Sequence, residues 1–521
     1  MNSVFANRVF NLGTGHLTPD ILVSLARQKN PPVQVPDDAW KRLEDFRRVV
    51  EVEAVSERKI YGINTGFGFL SDVKIAADKL SQLQVNLIRS HACGVGDYCE
   101  DEVVRGLLIL RAHTFLLGHS GVSRSAVETV LAFLKHDILP LIPEKGSVGA
   151  SGDLAPLSHL AMGLMGEGDV RWNGNRMSAA NALDVSGVKP FRPGAKEGLS
   201  CINGTHFMAC LGAFAVVDAE TLCKSADVIA ALSLEAIRGT LRAFDPRIHE
   251  VRKQAFQGKV AANLRDLLAG DDQIMDSHRN CGKVQDPYSF RCIPQVHGAV
   301  RGALEHVRVV VEGDLNSVTD NPLIFMDQFA HGPGGTDVIS GGNFHGEPLA
   351  LALDYLAIAV SEIANISERR IEKLTNPSQS GLPAFVTVDS GLNSGFMIPH
   401  VVAAALVSEN KVLCHPASVD SIPTSADKED HVSMGPIAAR KARQVIDNGM
   451  KVLSIEALTA CQGIDLLAPL QPSPSLRKIK SEVRKIAPTV DSDRSMHSEI
   501  NEVSEWLALG KAVTASGIAI R

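Results

Sequence analysis

Aromatic residues are scarce in this 521-residue chain, at 5%, with four tyrosines and three tryptophans. The nine cysteines are odd in number, scattered from Cys93 to Cys461, and never spaced CxxC. That excludes a disulfide framework and a structural zinc site, and leaves reduced thiols of the cytosolic kind. Lys+Arg number 52 against 59 Asp+Glu, a net charge of −7, and no basic block is long enough to track phosphates. Nucleic-acid and anionic-membrane partners are therefore not expected. The most apolar stretch, 349–360, is too short to cross a bilayer and contains Asp354. The start, MNSVFANRVFNLG, lacks a basic segment followed by an apolar one, so no secretory signal is read there. A soluble cytoplasmic protein is expected. What is present is 45% hydrophobic and 21% charged sequence, enough for a large core and for two or more domains.

The patterning is mainly helical. Thr18 and Pro19 read as N-cap and first residue of a helix that Asn30, Pro31 and Pro32 end; Pro36 to Asp38 open another, of alternating charge. Helical periodicity then marks segments near 103–110 and 127–134, and longer ones at 207–237, 296–315, 348–374, 401–413 and 436–461. Residues 349–374 are apolar all round until Glu368, Arg369 and Arg370, which implies burial on most sides, partner subunits included. Strand signals are short: 9–12, 338–339 and 387–388. The expectation is a mainly α, long-helix bundle over 206–521, with a smaller loop-rich N-terminal domain over 1–205.

The most unusual stretch is 146–156, GSVGASGDLAP. A P-loop would need Gly-Lys-Ser/Thr after its glycines, and Lys145 precedes them. A nucleophile elbow would need glycine two positions after Ser151, where Asp153 stands. Two readings remain. One is a small-residue turn capping the helix after Asp153. In the other Ala150, Ser151 and Gly152 are reactants: the Gly152 nitrogen closes onto the Ala150 carbonyl, and two waters leave to give an electrophilic ring.

Other fragments stand out. Residues 61–68, YGINTGFG, lack the last glycine of a dinucleotide fingerprint, so the phenol of Tyr61 is the feature to weigh, as a base or as a packed aromatic. Residues 285–291, QDPYSFR, put Gln285, Tyr288 and Arg291 before a helix; an arginine there either holds a carboxylate or makes a capping salt bridge. Asn316, Asp320 and Asn321 with Pro322 read as the end of a long helix, satisfying its last carbonyls and the turn that follows. Asp427, Glu429, Asp430 and His431 crowd one loop, where a carboxylate can act as base or bind a cation. Without HExxH or a second dense ligand cluster, no metal is expected. His91 follows a helix and precedes a glycine-rich turn.

At 149–159, GASGDLAPLSH, the sequence resembles the ammonia-lyases and aminomutases that use a self-made methylidene-imidazolone, MIO. The resemblance runs from about 55 to 465 and includes residues 61–68, 202–205, 286–292, 340–345 and 393–397, in the family's order. It implies a homotetramer of long helices whose active sites draw on three subunits, with MIO from Ala150, Ser151 and Gly152 and no external cofactor. Ser90 with His91, the series Glu429, Asp430, His431, and residues 283–288 resemble the histidine branch, in which L-histidine gives trans-urocanate and ammonia. The departure is Asp427 and Lys428, where an Asn-Gln pair is usual. By the same resemblance Tyr61 removes the β-proton and Asn203 and Arg291 hold the carboxylate. Gln285 and Tyr288 support the ring and amine, Phe344 presses on the ring, and His91 with Glu429 recognises imidazole and amine. The alternatives are a lyase or 2,3-aminomutase acting on tyrosine or phenylalanine, an inactive structural oligomer, and a metal-dependent hydrolase.

Overall fold

The computed structural model describes residues 9–66, 73–326, 329–330, 332 and 335–521. Phe67 and Gly68, the end of the glycine-rich fragment, and residues 1–8 lie outside that set. The chain is mainly helical. Thr18 caps Pro19–Ala26, its side chain accepting from the Ile21 amide at 3.3 Å, and Asp37–Ala54 follows Pro36. The expected long helices are His206–Ala236, Ile293–Leu315, Glu347–Thr375, Met397–Leu413 and Gly435–Asp465.

The chain forms two compact units: Met1–Phe214 with Arg308–Leu353 and Pro416–Arg440, and the remaining three segments. The division does not follow a single cut at 205/206. His206–Ala236 contains the first crossing, and two later segments return to the first unit, because long helices run through both.

In the first unit, Asp101–Phe115 is buried over most of its length, Arg111 included. Arg111 donates to the Asn203 carbonyl at 3.2 Å and stacks on Phe115 at 4.6 Å. Lys196, also fully buried, meets Asp320 at 2.9 Å and donates to the Ser120 carbonyl and Ser200 hydroxyl. Asp320 thus serves as a buried counter-ion and not as a helix end; Asn316 does satisfy the Glu312 carbonyl. Removing one partner of such a pair typically costs ~3–5 kcal/mol, because the other charge is stranded. The short strands include the hairpin Asp169–Trp172 with Asn175–Ser178, whose Asn173 and Gly174 take positive φ in a turn that suits its twist. Val95–Tyr98 pairs with Pro143–Lys145 and delivers the chain to the loop at 146–153.

The second unit is helical. Ala364, Ile371, Ala403, Val452 and Ile455 form one core cluster. Charges that interrupt its apolar helices are buried in pairs: Arg370 with Glu456 at 2.5 Å, and Asp227 with His297 at 2.7 Å and Arg301 at 2.9 Å. The expected strand at 387–388 is absent. Ala384–Val386 is a 3₁₀ turn with Phe385 at φ +56°, and the Phe385 carbonyl is taken by the Phe396 amide at 3.0 Å. Tertiary closure overrides the β propensity of Thr387 and Val388.

His206–Ala236 and Glu347–Thr375 are long and apolar enough to cross a membrane by length and composition, but 78% and 61% of their apolar windows are buried within the protein. On the surface of Glu347–Thr375, Leu351, Tyr355 and Ile358 are exposed, a row at helical spacing. The burial on most sides expected from its sequence, partner subunits included, is thus left open along this row within one chain.

Candidate active site

Ala150, Ser151 and Gly152 sit in a loop clamped from several sides. The Gly149 carbonyl accepts from the Ser433 hydroxyl at 2.9 Å and the Gly346 amide at 3.2 Å. Ala150 and Val148 pack on Val432 and Met434. Gly152 has φ +76°, and a Cβ there would lie 2.1 Å from the Gly204 oxygen, so no other residue fits. The Asp153 amide donates to the Gly204 carbonyl at 2.8 Å, and Asn203 Nδ2 donates to the Ser151 carbonyl at 2.7 Å. Asp153 accepts the Phe207 and Met208 amides at 2.9 and 3.0 Å, tying the loop to the start of His206–Ala236. Burial pushes its carboxyl up to about 7 against those hydrogen bonds.

The Ser151 hydroxyl donates to Glu429 Oε1 at 2.5 Å. Glu429 Oε2 accepts from Thr424 at 2.6 Å and Ser425 at 2.8 Å. Burial would raise the Glu429 carboxyl, but the hydrogen bonds from Ser151, Thr424 and Ser425 outweigh it and hold the group below its ordinary value. It is a carboxylate at neutral pH. His91 ends the helix Leu80–His91, and its Nδ1 donates to the Leu87 carbonyl at 2.8 Å, which leaves Nε2 to face a ligand.

These groups line one cavity of about 500 Å³, the size of a small-molecule site. Tyr61, His91, Ala150, Ser151, Asn203, Phe344 and Glu429 all line it. Tyr61 is placed by a turn that Asn64 closes, accepting from the Ile60 amide at 2.8 Å, while Ile60 and Ile63 pack on the core around Val50 and Ile324. Leu87, Leu154, Leu199 and Ile202 supply apolar wall.

Three expected residues are not among those lining the cavity. Gln285, Tyr288 and Arg291 belong to the second unit, where Gln285 and Tyr288 are exposed and the Arg291 guanidinium lies 4.3 Å over the Tyr288 ring. Among the described residues Arg291 makes no salt bridge, so the capping ion pair is not formed, and its Nε is buried without a hydrogen-bond partner.

The acidic loop divides. Glu429, Asp430 and His431 line the cavity with Lys428; Asp427 does not. His345, Glu347 and His431 are the one potential metal-ligand group among the described residues. Their arrangement is a hydrogen-bonded one: His345 Nδ1 accepts the Glu347 amide at 3.3 Å and Nε2 meets the His431 carbonyl at 3.2 Å, while the two rings stack in parallel planes. Neither nitrogen of His345 keeps a free lone pair for a metal. Sequence reasoning did not single out Ser433 or Gly346, and read Asp153 and Asn321 only as the start of one helix and the end of another. The signal for Gly346 and Ser433 was faint, each standing one to two residues past a motif histidine.

A mainly helical protein that holds a small-residue loop between Gly204 and Glu429, in a cavity of small-molecule size, defines an enzyme site. The aromatic amino acid lyase model matches residues 17–485. The histidine ammonia-lyase of Sorangium cellulosum is 49% identical over 95% of this chain and 96% of its own. The solved histidine ammonia-lyase of Trypanosoma cruzi superposes with a TM-score of 0.90 at 45% identity, covering 98% of this chain and 95% of that one. The tyrosine aminomutase of Streptomyces globisporus superposes at 0.91 with 35% identity, over 99% of this chain and all of that one. The chain belongs to the aromatic amino acid lyase family.

Proposed function

We propose that this protein is a histidine ammonia-lyase, a carbon–nitrogen lyase that converts L-histidine to trans-urocanate and ammonia. The observation that carries the reading is the ionised Glu429 against Ser151, in the same cavity as His91.

The three loop residues fit the imidazolone. Gly152 takes a left-handed φ of +76°, open to glycine, and Asn203 donates to the Ser151 carbonyl beside the Cα–H that must be lost. The finished ring supplies the electrophile that makes the substrate's amine a leaving group. Glu429 pairs with the substrate ammonium next to that loop. His91 presents Nε2 to a ring N–H of the substrate imidazole, with its tautomer set by the Leu87 carbonyl. Tyr61 takes the β-proton. Phe344, on the cavity wall, presses on the ring, and Asn203 steadies the loop.

Gln285, Tyr288 and Arg291 complete the site from neighbouring copies in a homotetramer, Arg291 holding the carboxylate. Support for an oligomer comes from the exposed apolar rows Leu351, Tyr355, Ile358 and Ile398, Val401, Val402. Nine free thiols support a reducing, cytoplasmic setting.

The test is purified protein with L-histidine, L-tyrosine and L-phenylalanine in parallel, reading the conjugated acrylate by absorbance and amine release by coupled assay. Histidine should be preferred by ~10⁴ or more in kcat/KM, since a site built for imidazole leaves polar groups unpaired against a phenyl ring. Equal or better turnover of tyrosine or phenylalanine overturns the substrate assignment.

A further inference from the structure

Lys196, Arg370 and Arg111 are fully buried cations. Lys196 meets Asp320 and Arg370 meets Glu456, but Arg111 forms no ion pair among the described residues. The carboxylates whose charge reaches it, Asp320 and Asp153, are held by Lys196 and by the Phe207 and Met208 amides. Its donors go to main chain and to one ring: the Asn203 carbonyl at 3.2 Å, the Ser200 carbonyl, and His206 Nδ1 at 2.9 Å. Its Nε is buried with no partner. Burial, with the charge of Arg111, holds His206 well below its ordinary value, so that ring is neutral and accepts from a side chain that only donates. Burying a charge without a counter-ion is expensive, and here the charge sits where it can act.

That place is one peptide away from Ser151. The Asn203 carbonyl, which Arg111 holds, and the Gly204 amide belong to one planar peptide unit, and that amide donates to the Ser151 carbonyl oxygen at 3.4 Å. Asn203 Nδ2 donates to the same oxygen at 2.7 Å. The Ser151 oxygen thus lies between two donors, the arrangement that stabilises charge developing on an oxygen. We infer that Arg111 is a positioning residue for the chain's self-modification, polarising the Asn203–Gly204 peptide so that negative charge can develop on the Ser151 carbonyl when Ser151 loses its Cα proton. The inference rests on the ammonia-lyase reading. In that chemistry the Gly152 nitrogen bonds the Ala150 carbonyl carbon and its proton passes to the Ala150 oxygen, which leaves with the Ser151 amide proton as one water. The Ser151 Cα proton then departs. Its electron pair rests on the carbonyl oxygen, then forms Cα=Cβ as hydroxide leaves Cβ, and proton and hydroxide make the second water. A donor on a peptide carbonyl draws electron density from the nitrogen and strengthens the N–H at the far end. Being fixed and already desolvated, the Arg111 charge needs no reorganisation as that electron pair moves.

The experiment makes the full-length wild type, Arg111→Gln, Arg111→Lys and Phe115→Leu by in-vitro translation and follows intact mass from the end of synthesis. Circular dichroism and elution volume select the folded chains, and Arg111→Met carries the test if Arg111→Gln does not fold. Removing a direct oxyanion donor typically costs ~10²–10³ in rate, so Arg111→Gln, acting one peptide further away, should slow the loss of two waters at least ~10-fold in folded protein. Arg111→Lys keeps the charge and should recover most of that rate. Phe115→Leu disturbs the ring stacked on Arg111 and leaves the charge in place, so its water loss should stay within twofold of wild type. Folded Arg111→Gln that loses both waters at the wild-type rate overturns the role. So does Arg111→Lys no faster than Arg111→Gln, or a delay in Phe115→Leu equal to theirs, since packing and not charge would then be the cause. A wild type that never loses the two waters overturns the ring and the proposed function instead, so the two failures are distinguishable.

Discussion

Ser151 and Glu429, 278 residues apart in sequence, share a 2.5 Å hydrogen bond. The residue expected to become part of the electrophile and the carboxylate expected to meet the substrate amine are thus placed by one contact. Thr424 and Ser425 hold the far oxygen of Glu429, which aims the near one.

If Ser151 is a reactant, Ser151→Ala folds and assembles but loses nearly all turnover. Intact-mass spectrometry should find wild type two waters lighter than its sequence and Ser151→Ala unshifted. An active wild type at the unmodified mass rules out the ring.

Glu429→Gln keeps the shape and removes the charge. A charge-assisted contact contributes roughly 1.5–3 kcal/mol, so histidine turnover should fall at least ~10-fold. Steady-state kinetics at neutral pH check it, and a smaller loss would move the ammonium partner to Asp430.

Tyr61→Phe removes only a hydroxyl, so the thermal midpoint should hold. Losing a general base typically costs ~10²–10⁴ in rate. Retention of more than about a tenth of wild-type kcat would reassign the base.

Stability should depend on pH through buried carboxyls. Burial, with a hydrogen bond donated to Asp272 and the negative charge of that carboxylate, pushes Glu235 up to about 9. The native state keeps this proton while the unfolded chain releases it above its ordinary value, so native binds more protons across that window and stability falls as pH rises toward 9. Asp153 and Asp314, pushed up to about 7 and about 6 by burial, have the same sign but finish ionising lower. Glu235→Gln mimics the protonated acid and should flatten the calorimetric Tm profile between pH 7 and 9, leaving the fall below pH 7. An unchanged slope above pH 7 would show that Glu235 does not carry it.

Local features were legible in the sequence because they depend on local physics. Thr18 caps its helix because a side-chain oxygen reaches an amide three residues on, and the long helices follow from apolar periodicity. The triad of Ala150, Ser151 and Gly152 was conspicuous because so little side chain stands there. The tertiary structure decided the rest. That Gly204 presses on Gly152, that Asp320 is a counter-ion for Lys196, and that residues 387–388 are not a strand all depend on distant chain arriving at one place. So does the absence of Gln285, Tyr288 and Arg291 from the cavity. Residue type and spacing carry dihedral preference and hydrophobic period, which act within a few residues; the meeting of Ser151 with Glu429 is fixed only when the core around Ala150, Val432 and Met434 closes.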